Sequence, residues 1–414
     1  MRRAILLALH LTAAAPLGAQ AVHGWGDELQ PVPHADRLLG LGTVLADALA
    51  WPAPPLRPAP EPVRALYVNA WAFGGNRFWD LVRLADTTEI NSFVIDVKDD
   101  TGYLTYRSAV PTAIAIGANG QLRARDAAER LRVLHQHGIH AIARIVVAKD
   151  PLLASHKSGW AVQQMGGGLW RDRLNFAWVD AFNDSVWVYA GQLAAEAVHT
   201  GFSEVQFDYV RFPDEPRSRM AQAIFPARRT GESVRSGVAR NLRLLRDRIK
   251  PLGVPFTIDV FGMTTNVRVD LGIGQVWEDL VSTADVVLPM VYPSHYYQAM
   301  YGAAHPNSEP YRVVRGALAD GQRRSRQMTG TTAEIRPYLQ AFTLGRPRYT
   351  PEYVREQIRA AADLGIHGWV LWNPRSAYDP RIFGKPSTTP VQVAINRAAV
   401  SPGPSPAPPR AIRR

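Results

Sequence analysis

Cysteine is absent from all 414 residues. Disulfides, thiolate metal sites and a cysteine nucleophile are therefore excluded. So is a lipid anchor, which would need an N-terminal cysteine after processing. Long hydrophobic runs are also scarce. The one apolar stretch, residues 4–15, is broken by His10 and Thr12. It is shorter than the ~20 residues a membrane span needs. Arg2 and Arg3 precede it, and Ala19-Gln20-Ala21 follows as an A-x-A pattern. This reads as a secretory signal cleaved after Ala21. The expectation is a periplasmic or extracellular protein, a monomer, with no stable membrane anchor once the signal is gone. Runs of like charge are missing too. The formal charge is +11, yet the arginines are scattered along the chain, so no nucleic-acid partner is expected. No G-x-S-x-G is present, which argues against a serine hydrolase. No glycine-rich phosphate loop opens the first helix, which argues against an open nucleotide-binding sheet.

What is present is ample apolar content, 46%, arranged with a repeating pattern. Residues 1–21 are the signal, and 22–62 are an N-terminal extension ending in a Pro-rich linker (WPAPPLRPAPEP, 51–62). Residues 63–386 are the main domain. Residues 387–414 are a C-terminal extension whose Pro-rich tail is expected to be disordered. In the main domain, strand-like runs fall at 65–69, 92–97, 140–147, 204–210, 255–261, 286–292, 337–342 and 368–372. Amphipathic patterns lie between them, at 77–87, 124–137, 181–199, 232–250 and 351–364. Eight strands alternating with helices over about 320 residues predict an α/β fold, a (β/α)8 TIM barrel.

Strands buried on both faces should be nearly all apolar. Several here carry charges. The second reads S-F-V-I-D-V-K-D-D, with Asp96 and Lys98 on one face at period two and Asp99 and Asp100 after them. The third carries Arg144 in mid-strand. The fourth sets Gln206 and Asp208 opposite Val205, Phe207 and Tyr209, and the fifth sets Thr257 and Asp259 opposite Phe256, Ile258 and Val260. In a barrel, one face points into the bore and the site lies at the strands' C-terminal ends. Asp96, Arg144, Asp208 and Asp259 then converge. Later strands add Tyr292, His295, Gln340, Trp372 and Asn373. A purely structural ionic cluster of Asp96, Lys98, Arg144 and Asp208 is the competing expectation. A metal site from Asp96, Asp208, Asp259 and His295 lacks the H-x-H or H-E-x-x-H spacing that would support it.

Paired carboxylates among aromatic platforms suit cleavage of a glycosidic bond. Asp208 is the candidate nucleophile or charge stabiliser, held ionised by Arg144. Asp259 is the candidate general acid, because burial among apolar neighbours would raise its pKa. Asp99 and Asp100 are rival acids, and Asp96 is a further candidate. Lys98, Arg144, Tyr292, His295, Gln340 and Asn373 are the candidate substrate contacts. Trp160, Trp170 and Trp372 are candidate sugar platforms. Loss of one carboxylate would instead suit a glycan-binding barrel without turnover. A metal at the Asp/His cluster would suit a polysaccharide deacetylase or lyase.

Seven ordered segments carry a resemblance: V-R-A-L-Y-V-N-A-W-A (63–72), F-V-I-D-V-K-D-D-T-G (93–102), R-I-V-V-A-K-D-P-L-L-A (144–154), G-G-L-W-R-D (167–172), A-W-V-D-A-F-N (177–183), V-Q-F-D-Y-V-R-F-P (205–213) and V-L-P-M-V-Y-P-S-H-Y (287–296). Together they resemble a bacterial family of glycoside hydrolase domains, formerly a domain of unknown function, with α-amylase-like barrels as distant relatives. The resemblance covers residues 63 to about 385. It implies a TIM barrel, a polysaccharide of the cell wall or exterior as substrate, and no cofactor. It also implies a nucleophilic aspartate at Asp208 and an acid after strand five. Amylase-like barrels carry Glu at the acid position and Arg two residues before the nucleophile. Here Asp259 and Gln206 stand there, so the positive charge is expected from Arg144.

Overall fold

The computed structural model describes residues 56–386. The signal, the greater part of the N-terminal extension and the C-terminal extension lie outside the described residues. Eight parallel strands form the centre: β1 (Arg64–Val68), β2 (Ser92–Lys98), β3 (His140–Val146), β4 (Glu204–Asp208), β5 (Phe256–Phe261), β6 (Val286–Met290), β7 (in two short pieces, Glu334–Ile335 and Tyr338–Gln340) and β8 (Trp369–Trp372). Each pairs with the next. β8 pairs with β1 through Arg64 opposite Trp369, so the sheet closes on itself with no free edge.

The alternation within the strands sorts two apolar cores. Val94, Ile142, Leu288, Tyr338 and Val370 pack together inside the bore. Phe93, Ile95, Ile145, Phe207 and Ile258 face outward, into a larger core under the helices. Those helices are α1 (Arg77–Thr87), α2 (Ala127–Gln136), α3 (Asp184–Thr200), α4 (Val234–Ile249), α5 (Trp277–Val281), α6 (Pro310–Arg326) and α7 (Pro351–Ala362). The (β/α)8 expectation holds, with element bounds within a few residues of the periodicity. Gly201 follows α3 with φ +125°, a conformation that ends a helix at little cost only for glycine. Among the described residues no helix is long and apolar enough to cross a membrane.

Two connections at the C-terminal end of the barrel are long, 147–183 after β3 and 209–233 after β4. They are joined by a two-residue antiparallel pairing of Gln163–Gln164 with Ala223–Ile224. Loops at this end of such a barrel carry its chemistry, while the other end serves stability.

Candidate active site

Register places the inward polar groups. Asp96 on β2 sits opposite Arg144 on β3, Arg144 sits opposite Gln206 on β4, and Asp208 lies one inward step above Gln206. The buried Arg144 guanidinium is the hub. It donates to Asp96 at 2.5 Å and, through Nη2, to Asp208. Its Nε lies 3.7 Å from Asp259 Oδ2. Three carboxylates therefore share one cation, and Asp208 and Asp259 lie within the roughly 10 Å that lets a pair flank one glycosidic bond. Tyr67 on β1 donates to the other Asp96 oxygen at 2.5 Å. Trp372 stacks on Tyr67 with ring centroids 3.8 Å apart, and both rings lie over the Arg144 guanidinium, at 5.1 and 5.4 Å. Cation–π contacts of this kind help hold a buried arginine in place.

The carboxylates differ electrostatically. Burial pushes Asp96 up to about 6, against the pull of Arg144 and the Tyr67 hydrogen bond. Burial, and then the Asp208 charge, push Asp259 well above the usual carboxylate range, with Arg144 opposing. Asp259 Oδ2 accepts from Gln206 at 3.0 Å, while Oδ1 is buried with no hydrogen-bond partner. Asp208 is bound differently. One oxygen holds Arg144, and the other accepts the backbone N–H of Tyr209 at 2.5 Å. Tyr209 itself has φ +53°, in the left-handed region that a tyrosine rarely adopts. Such strain concentrates at functional sites. A carboxyl raised by burial beside a second one held by two donors is the arrangement general-acid chemistry needs.

Lys98 is a correction. From Asp96 to Lys98 β2 advances two residues while β3 advances one, so Lys98 stands opposite Ile145 rather than in line with Arg144. This bulge rotates Lys98 out of the bore. Its ammonium pairs with buried Asp150 at 2.6 Å and lies 5.1 Å from the Tyr189 ring of α3. Asp150 in turn caps the Pro151–His156 helix. Lys98 is a structural ion pair, not a substrate contact, and the expected Asp96–Lys98 face does not exist. Trp170 is also buried, inside the joined loops, with its indole N–H on the Arg219 carbonyl at 3.2 Å, so it is no sugar platform. Trp160 packs half-buried against the outer core.

The remaining candidates spread around the mouth. Asp99 is half-buried and accepts from Thr101, and burial raises its carboxyl. Asp100 pairs with Lys149 at 2.7 Å. Tyr292 is buried, edge-on to Phe342. Gln340 is fully buried and spent on loop contacts: it accepts from Ser294 N–H and donates to Asn307 and the Phe342 carbonyl. The Asn373 amide holds the Ala341 carbonyl at 2.7 Å. These two position the rim. His295 is exposed, bonded to Ser294 at 3.0 Å and edge-on to the Tyr292 ring. Among the described residues no group of three or more His, Asp or Glu side chains is placed to hold a metal ion.

The sequence reading leaves out Tyr67, Tyr338 and Arg211. Tyr67 and Tyr338 were accessible to it: each sits at period two from an inward neighbour, Ala65 and Gln340. Tyr338 accepts from Gln206 at 2.7 Å and so helps orient the amide that holds Asp259. Arg211 bears no such mark. Trp71, just past β1, is 67% exposed, with Arg123 covering one face at 3.7 Å. It is a better candidate platform than Trp170.

Comparison with known proteins agrees with this fold. Residues 65–378 match the model of a family described as "Putative glycosyl hydrolase domain". The glycoside hydrolase domain of PgaB (BpsB) from Bordetella bronchiseptica aligns over 76% of this chain and 95% of its own, at 15% identity and TM-score 0.51. A hypothetical protein from Ruminiclostridium thermocellum is 36% identical over 44% of this chain and 92% of its own, with TM-score 0.39. No curated protein matches the chain.

Proposed function

The chain belongs to that glycosyl hydrolase domain family, and from this premise we propose that it is a glycoside hydrolase that works with two carboxylates. The observation that carries the reading is the contrast between Asp208, held by Arg144 and a backbone N–H, and Asp259, buried, with its carboxyl pushed upward by burial and one oxygen unpartnered. Asp259 gives its proton to the leaving glycosidic oxygen as the C–O bond breaks. Asp208, ionised, faces the positive charge that develops at the anomeric carbon, either bonding to it or guiding the water that replaces the leaving group. Gln206 fixes the acid, and Arg144 bonds Asp208 while opposing the burial-driven rise at Asp96 and Asp259. The substrate is a polysaccharide of the cell wall or exterior, which suits the signal-like N-terminus and export of a monomer. Screening the protein against wall and exopolysaccharide fractions, with Asp208→Asn alongside, tests this. Turnover by the wild type and none by a folded variant is the expected result. Equal hydrolysis by both would sink the assignment.

One observation favours a second reading, glycan binding without turnover. Asp96, Asp208 and Asp259 are 2, 5 and 1% exposed, so little of any of them meets the mouth. Retained binding with no cleavage by the wild type of any fraction would select it.

A further inference from the structure

A groove of about 570 Å³ opens between the loop after β7 and the loop after β8, and none of the three aspartates around Arg144 lines it. That size is in the range of small-ligand sites. It joins the mouth through Phe342, which packs on Tyr292, and Asn373, which follows Trp372. Its walls are tied together by Asn373, which bonds Ala341, and the loop after β7 is held from outside by Asn307, which bonds the carbonyls of Leu344 and Arg346. Each wall contributes one arginine, Arg348 and Arg375, and both are exposed, with no side-chain hydrogen bond or ion pair to any described residue. The acid of the groove, Asp379, is already taken by Arg381 at 2.7 Å. Tyr349, also in the lining, keeps a buried hydroxyl with no partner.

The opposite rim supplies a separate observation. Arg211, three residues after Asp208, is 8% exposed; its Nη1 donates to the Phe212 carbonyl at 3.2 Å, and among the described residues no carboxylate pairs with it. It rests on the rings of Tyr209, Phe261 and Trp178 at 4.6 to 5.5 Å, and its Nε has no partner. A buried cation without an anion is costly. Unpaired arginines thus stand on both sides of a mouth whose own carboxylates are already shared by Arg144.

We propose that the groove binds a sugar unit bearing a carboxylate, gripped between Arg348 and Arg375, so that the substrate is an acidic polysaccharide. A guanidinium matches a carboxylate through two parallel N–H···O bonds, and two arginines on facing walls select such a unit over a neutral one. The binding follows from the groove's own walls; its part in hydrolysis rests on the function proposed above.

The test uses the full chain carrying Asp208→Asn, so that no probe is cut. Four-unit oligosaccharides of galacturonate, of mannuronate and of hyaluronan, and the methyl ester of each, are titrated by calorimetry. At least one free acid is expected to bind about 10-fold or more tighter than its ester. Arg348→Gln with Arg375→Gln should remove that preference without moving the melting temperature, since both side chains are exposed. Binding of no free acid, equal binding of acid and ester, or an undiminished preference in the double variant each overturns the proposal. Wild-type cleavage is read separately. Acid-selective binding with no hydrolysis of any glycan would remove the hydrolase reading and keep the groove. Hydrolysis of neutral chains with no acid preference would do the reverse.

Discussion

The two ends of the barrel bore use the same chemistry to opposite ends. At the N-terminal end, Glu204 is fully buried and fully satisfied: Arg336 donates to one oxygen at 2.6 Å, and His140 meets the other at 3.1 Å. Its carboxyl stays below the usual range, because Arg336 and His140 together outweigh burial. At the C-terminal end, three carboxylates divide one arginine, and two of them, Asp96 and Asp259, are pushed upward. A balanced cluster locks a fold. An unbalanced one stores a proton where a reaction can use it. The imbalance, more than the mere presence of charge, distinguishes a site from a strut.

The largest expected break in this comparison is at the top. Asp208→Asn should lower kcat/KM on a cleaved fraction by about 10⁴-fold while leaving thermal unfolding nearly unmoved. The bottom should behave in the reverse sense. Glu204→Gln leaves Arg336 and His140 buried without their anion, so stability falls by about 3–5 kcal/mol, read as a large drop in Tm. Next comes Asp259→Asn, which resembles the protonated acid in shape and charge. Turnover should fall about 10²–10⁴-fold with stability within about 1 kcal/mol. The alkaline limb of the wild-type pH–rate profile, set by loss of the Asp259 proton, should vanish from whatever activity remains.

A smaller effect concerns pH and folding. Asp96 ionises at about 6 when folded, against 3.8 ordinarily. The folded chain therefore binds a proton that the unfolded chain has lost between those values. Stability from this group is present below pH 3.8, declines as pH rises through the window and is flat above it. The loss is on the order of 3 kcal/mol. Asp96→Asn should flatten that segment of a denaturation-against-pH curve; a segment of unchanged slope would show that Asp96 is not its source. The smallest effect is Tyr67→Phe. Removing its hydrogen bond should move the Asp96 titration further upward, by less than a unit, in carboxyl NMR.

Much of this was legible beforehand. Period two in β4 and β5 named Gln206, Asp208, Thr257 and Asp259 as inward, and the register confirms that face. Arg144 was expected to replace the arginine that amylase-like barrels carry two residues before the nucleophile, and it does bond Asp208. What escaped is what alternation cannot encode. The bulge after Asp96 changes the phase of β2 by one residue, and nothing in V-K-D-D announces it. The Glu204 cluster joins three strands, β3, β4 and β7, whose residues are 64 and 132 positions apart. Single-strand patterns do not reveal such partners. Trp170 and Trp71 show the same limit from the other side: aromatic identity is visible in sequence, but exposure follows from how the long loops fold.

That bulge has one more consequence. Had β2 kept its phase, Lys98 would point into the bore beside Arg144, and two cations would face three aspartates. One extra residue of strand length instead exiles an ammonium to the helix layer. Local geometry, with no change of composition, thereby sets how hungry the mouth is for a proton.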